Sequence, residues 1–203
     1  MADRRGGAAR FPANACAAVS GLFKHVPNLL TGLRLASAPA VALLLIGGND
    51  RAALGIFALA GLSDAADGFL AKRFGFATRF GRYLDPAADK ILMLASFLTL
   101  TLMGVAPLWL TAIVIGRDLA IILGVVLVVL FDLPVDVQPL FVGKISTACQ
   151  IGYVAFALVL LSFGVAWPDA LAFASVATAA ATLLSWLAYG RILLMAIWKR
   201  GRV

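Results

Sequence analysis

The sequence predicts an all-α, polytopic membrane protein with six transmembrane helices and a short N-terminal interfacial helix. Three observations carry this expectation. The 203 residues are 63% hydrophobic and 13% charged, with a mean hydropathy of +1.00, which is more apolar surface than a soluble domain can hide in one core. Apolar runs of about twenty residues, each the length of one bilayer crossing, alternate with breaks that carry Gly, Pro or charge. The basic residues gather at the ends of those runs and mostly on one side of the membrane they imply.

Residues 13 to 25 place Val19, Leu22 and Phe23 against Lys24 and His25, the pattern of a short helix lying in the membrane interface. Pro27 opens the first spanning helix, roughly 28 to 47, and the segment GGND stops it. A second run covers about 52 to 71 and ends in the basic loop KRFGFATRFGRY; a third covers about 84 to 104. Pro107 starts the fourth, to about 131, and FDLPVDVQP is a turn because its two prolines forbid a continuous rod. Helix five then spans about 142 to 164 and helix six about 169 to 198. A β-barrel would alternate over segments of about ten residues, whereas these runs are uniformly apolar, and backbone in lipid must satisfy its own hydrogen bonds. The organisation expected is a cytoplasmic or interfacial segment at 1–26, a six-helix membrane domain at 27–198 and a basic tail at 199–203.

The formal net charge of +7 and the pI near 10.0 do not point to nucleic acid, because the cations do not line one polar face. Topology and anionic headgroups account for them. Arg4, Arg5, Arg10 and Lys24 precede helix one; Lys72, Arg73, Arg79 and Arg82 follow helix two; Lys144 opens helix five; Arg191, Lys199, Arg200 and Arg202 close the chain; and Arg51 stands on the other side. That asymmetry predicts both termini and the Asp-rich region on the cytoplasmic face of the inner membrane. Cys16 and Cys149 lack metal-ligand spacing and read as free apolar residues, the N-terminal stretch lacks the apolar region of a signal peptide, and His25 stands alone.

All ten acidic residues are Asp, and Asp64, Asp67, Asp85 and Asp89 crowd into 26 residues. Asp64 and Asp67 are three apart and Asp85 and Asp89 four apart, so on helices each pair projects from one face. If helices two and three are antiparallel neighbours, the pairs meet near the cytoplasmic end, where four carboxylates repel unless a cation neutralises them. Oxygen-only ligands suit Mg²⁺ or Mn²⁺, and the lack of nearby His or Cys argues against zinc. A carboxylate-bound divalent metal at a membrane interface is what a phosphate or diphosphate substrate requires. Gly68 and Ala71 lie one turn beyond the first pair and Gly81 one turn before Asp85, where missing bulk admits either a ligand or a packed helix.

The spacing Asp64, Asp67, Gly68, Ala71, Lys72, Gly81, Asp85, Asp89 resembles the pattern D-x2-D-G-x2-A-R-x8-G-x3-D-x3-D of the CDP-alcohol phosphotransferase family. Lys72 stands where that family has Arg, which keeps the charge but loses the bidentate fork, so Lys72 or Arg73 meets the diphosphate. The resemblance implies six transmembrane helices in a homodimer, with a polar cavity open to cytoplasm and lipid. It implies that Asp64, Asp67 and Asp85 bind metal, that Asp89 joins them or acts as general base, and that Gly68, Ala71 and Gly81 make room for the cytidine nucleotide. The implied reaction is attack by an alcohol hydroxyl on phosphorus with release of CMP.

PNLLTGLR, with Asn28, Thr31 and Arg34 at three-residue spacing, looks like the first-helix motif of the branch that uses CDP-diacylglycerol. Thr31 is read as a nucleotide contact and Arg34 as a phosphate or packing contact. ALGIFALAGLSDAADGFLAK, IGRDLAIILG and VGKISTACQ are most similar to the cardiolipin synthase branch, whose acceptor is phosphatidylglycerol; the alternative acceptor is glycerol 3-phosphate. Arg117, Asp118 and Lys144 are charges at or near membrane depth, forming either an internal ion-pair set or, with Arg34, the site for the acceptor phosphate. A cation transporter is the non-enzyme alternative, and an intramembrane prenyltransferase would need more helices than this chain supplies.

Overall fold

Glycine decides where the odd-numbered helices stop. The computed structural model describes the backbone of residues 26–74, 81–131 and 141–200; within these, the side chains of 26–31, 64–74, 81–87, 129, 193, 196–197 and 199–200 lie outside the description. Among the described residues the chain forms α1 (Val26–Ile46), α2 (Asp50–Phe74), α3 (Gly81–Leu102), α4 (Leu108–Leu130), α5 (Phe141–Phe163) and α6 (Pro168–Arg200). Beyond α1, α3 and α5 stand Gly48, Gly104 and Gly164 at φ of 74°, 73° and 63°, the left-handed region that favours glycine. Gly48 N–H donates to Leu45 O at 3.0 Å and Asn49 N–H to Leu44 O at 2.8 Å, which satisfies carbonyls the helix would leave bare. The same two bonds recur at Gly104 and Val105 and at Gly164 and Val165.

The all-helical fold is as expected, and each boundary falls within a few residues of its expected place. Helix three stops at Leu102 instead of about 104, because Gly104 turns left-handed and Val105 N–H returns to Leu100 O. Helix one runs on through Pro39, an interruption that packed membrane helices tolerate. Helix six reaches Arg200, into the stretch read as a tail. The interfacial helix expected over 13–25, together with Cys16 and His25, lies outside the described residues.

Short connections force successive helices to reverse. Residues 75–80 extend to about 20 Å at most, which is less than the roughly 37 Å length of the 25-residue α2. The most extensive packing joins α1 to α3, then α1 to α2, α5 to α6, α4 to α6 and α2 to α5, with lighter contact of α3 on α4 and on α5. Following these neighbours gives a closed ring in the order α1, α2, α5, α6, α4, α3. Among the described residues α1 packs against both α2 and α3, and the ends of α2 and α3 where the acidic pairs were expected to meet lie outside the described side chains. Interhelical order depends on which helix faces complement each other.

Inside the ring Val41, Leu45, Phe97, Leu100, Leu110, Val154 and Leu158 are buried, and Phe97 stacks on Tyr153 with ring centroids 5.7 Å apart. Small polar side chains share this interior. Gln150 Nε2 donates to Thr182 Oγ1 at 3.2 Å, and Ser175 Oγ pairs with Tyr153 Oη at 3.3 Å, joining α5 to α6. The outside is apolar: Leu119, Ile122, Leu123 and Val126 on α4 and Leu183, Leu184 and Leu187 on α6 are exposed. Polar groups within and leucines without is the arrangement that lipid solvation favours. Leu108–Val128, Phe141–Phe163 and Pro168–Ile192 are long and apolar enough to cross a membrane, and α1 contributes the shorter apolar helix Gly32–Ile46.

Candidate active site

The motif residues fall on helical backbone, as their spacing requires. Asp64, Asp67, Gly68, Ala71 and Lys72 lie in the C-terminal half of α2, and Gly81, Asp85 and Asp89 in the first half of α3. Each aspartate pair thus shares a helix face. Asp89 is half-buried. The side chains of Thr31, Asp64, Asp67, Ala71, Lys72, Arg73 and Asp85 lie outside the described residues, as do the surroundings of Gly68 and Gly81. Among the described side chains there is no group of three metal-ligating ones.

Depth along the helices brings three of the candidate groups to a similar level. Arg34 stands twelve residues before the end of α1, Asp64 fourteen after the start of α2, and Asp89 thirteen before the end of α3. Counted from those ends at about 1.5 Å per residue, the three differ by only about 3 Å. Helix α1, which carries Arg34, packs on both acidic helices. Arg34 itself is 3% exposed, and Ser37 Oγ donates to its carbonyl at 2.7 Å. The donor set fits a hard divalent cation: it is all carboxylate, it is divided between two helices flanking a third, and its one described member is not sealed from solvent.

Beside this region stands a fully described charge cluster. Lys90, the residue after Asp89, places Nζ 2.6 Å from Asp118 Oδ1, tying α3 to α4. Arg117 Nη1 reaches the same oxygen at 2.8 Å. The other donors of Arg117 turn to α6: Nε and Nη2 lie 3.3 and 3.0 Å from Ser185 Oγ, and the guanidinium stands 5.9 Å from the Tyr189 ring centroid. Gly143 on α5 permits this approach, since a Cβ there would lie 2.9 Å from Tyr189 Oη and 3.3 Å from Arg117 Nη2. Arg117 is 4% exposed.

Arg117 and Asp118 form an internal ion pair, with Asp118 placed as the orienting partner of Arg117. Lys144, in the first turn of α5, is exposed. The sequence reading passed over Lys90, Gly143, Ser185 and Tyr189. Lys90 carried a usable signal, because a Lys followed by a dozen uncharged residues of a membrane helix requires a partner. Ser185 and Tyr189 carried none, since their role depends on the packing of α6 against α4.

The sequence that builds this helical ring matches the CDP-alcohol phosphatidyltransferase family over residues 24–195. The chain belongs to that family, a class of transferases. Among its relatives, the cardiolipin synthase (CMP-forming) of Rattus norvegicus is 34% identical over 185 residues, covering 82% of this chain and 61% of the relative. The cardiolipin synthase (CMP-forming) of Streptomyces coelicolor is 38% identical over 153 residues, 72% of this chain and 70% of its own. The chloroplastic CDP-diacylglycerol–glycerol-3-phosphate 3-phosphatidyltransferase 1 of Oryza sativa is 33% identical over 159 residues, 70% of this chain and 48% of its own. The chain thus spans about three fifths of the length of the rat enzyme it matches.

Proposed function

We propose that the chain is a cardiolipin synthase, moving the phosphatidyl group of CDP-diacylglycerol to phosphatidylglycerol with release of CMP. The carrying observation is the eight-position Asp, Gly and Ala pattern on α2 and α3 in a member of the CDP-alcohol phosphatidyltransferase family. The relatives from rat and Streptomyces, both named as CMP-forming cardiolipin synthases, favour this acceptor. The rice relative, named for glycerol 3-phosphate, supports that acceptor as the second reading. Family membership weighs against the cation-transport and prenyl-transfer alternatives.

Asp64, Asp67 and Asp85, with Asp89, hold the divalent cation, Mg²⁺ or Mn²⁺. When bound, it neutralises diphosphate charge and eases departure of CMP. Asp89 accepts the proton of the attacking acceptor hydroxyl as its oxygen bonds to the phosphorus bearing diacylglycerol. The bond from that phosphorus to the CMP oxygen breaks, and CMP leaves with the electron pair. Thr31, Gly68, Ala71, Gly81 and Lys72 or Arg73 line the nucleotide. Lys144, exposed at the start of α5, and Arg34 offer charge to the acceptor phosphate, whereas Arg117 is already engaged by Asp118 and Ser185.

The setting we propose is six membrane crossings in a homodimer in the inner membrane, with both termini and the acidic residues on the cytoplasmic side. The three long apolar helices and the excess of Lys and Arg at one set of ends support it. Purified protein given CDP-diacylglycerol and each acceptor in turn is expected to release CMP and form cardiolipin from phosphatidylglycerol. Product from glycerol 3-phosphate alone would replace this reading with the second one, and no CMP release with either would reject both.

A further inference from the structure

We infer that Lys90, Asp118 and Arg117 form a clamp that sets the rotation of α3 about its axis and thereby positions Asp89; the inference rests on the transfer reaction proposed above. Helix α3 packs mainly on α1 and only lightly on α4. Among the described residues two polar ties join α3 to α4. One is Thr101 Oγ1 to Thr111 Oγ1 at 2.6 Å, beside the connecting turn. The other is Lys90 to Asp118, also at 2.6 Å and three turns further along α3. Two ties that far apart fix a helix against roll, which one tie near a loop cannot do.

Successive helical residues point about 100° apart, so pinning residue 90 also fixes the direction of residue 89. A free Lys side chain is too flexible to serve as such a pin. Here the acceptor oxygen is itself immobilised: Arg117 Nη1 holds Asp118 Oδ1 at 2.8 Å, and Arg117 is in turn held by Ser185 and faces Tyr189 in the space Gly143 leaves open. Lys90 of α3 and Arg117 of α4 thus meet on one carboxylate oxygen, with α6 holding Arg117 and α5 leaving it room. The arrangement also separates duties among the cations, because Arg117 has its three nitrogens committed within the protein. Lys90, Asp118 and Arg117 are positioning residues, acting on the reaction through Asp89.

Lys90→Met is the informative variant, since Asp118 keeps its Arg117 partner and no buried carboxylate is orphaned. In full-length protein in lipid nanodiscs, K90M is expected to lower kcat about 10²-fold, the usual result of misplacing a reacting group by an ångström. KM for the acceptor should stay near wild type. Mn²⁺ binding, followed by electron paramagnetic resonance without substrate, should weaken about 10- to 100-fold, and Lys90→Arg, which retains the charge, should restore both readouts. Three outcomes would overturn the clamp alone: wild-type kcat in K90M; a raised acceptor KM at unchanged kcat, which would make Lys90 an acceptor ligand; or a loss that follows the unfolded fraction and is not rescued by K90R. A wild-type chain inactive with every acceptor would overturn the clamp together with the transfer reaction.

Discussion

Replacing Asp89 by Asn is expected to reduce phosphatidyl transfer by roughly 10²- to 10⁴-fold, the range a positioned general base contributes, while leaving the fold intact. Asn occupies nearly the same volume but cannot take the hydroxyl proton. The fold should survive because Asn keeps the volume of Asp and its side-chain oxygen still accepts hydrogen bonds. Asp89 is half-buried on α3, so the substitution exposes no apolar core. The checks are single-turnover CMP release and the unfolding temperature of D89N beside the wild type. Near-normal turnover would remove Asp89 as the base, and aggregation of the variant would give residue 89 a structural role in place of the catalytic one.

Stripping divalent cations should have an effect at least as large. With a chelator, transfer is expected to fall by about 10³-fold or more, in keeping with the several kcal/mol that a cation contributes by stabilising charge on transferring phosphate. Mg²⁺ or Mn²⁺ should restore it, and Zn²⁺ should do so poorly, because the donor set has no His or Cys to favour it. The same treatment should leave the helical core in place, since the contacts of α3 with α5 and of α5 with α6 run through Phe97, Tyr153, Gln150 and Thr182 and not through the four motif aspartates. Transfer undiminished in chelator would set aside the metal and leave Asp64, Asp67 and Asp85 without their proposed role.

Much of this was legible in the chain because it is local. GGND announced the end of helix one, and there, as beyond α3 and α5, the glycine takes the left-handed conformation that closes the last turn. The pairing of Asp64 with Asp67 and of Asp85 with Asp89 follows from helical periodicity, which is a property of one segment. What stayed hidden depends on two segments at once. The packing of α1 against both α2 and α3 depends on complementary faces of separate segments, which no one segment announces. Lys90 and Asp118 are 28 residues apart, and nothing in either helix alone specifies that they meet. Arg117 was recognisable as a charge needing company, but only the packed helices show that Ser185, Tyr189 and Asp118 supply it.

The central claim is that the acidic residues of α2 and α3 reach past α1 to one shared cation. Anomalous diffraction from crystals grown with Mn²⁺ tests it most directly. The account predicts manganese density with carboxylate oxygens from both helices, those of Asp64 or Asp67 and those of Asp85 or Asp89, at about 2.1 to 2.3 Å. Manganese bound by one helix alone, or the two carboxylate pairs opening to different sides of the ring, would contradict it.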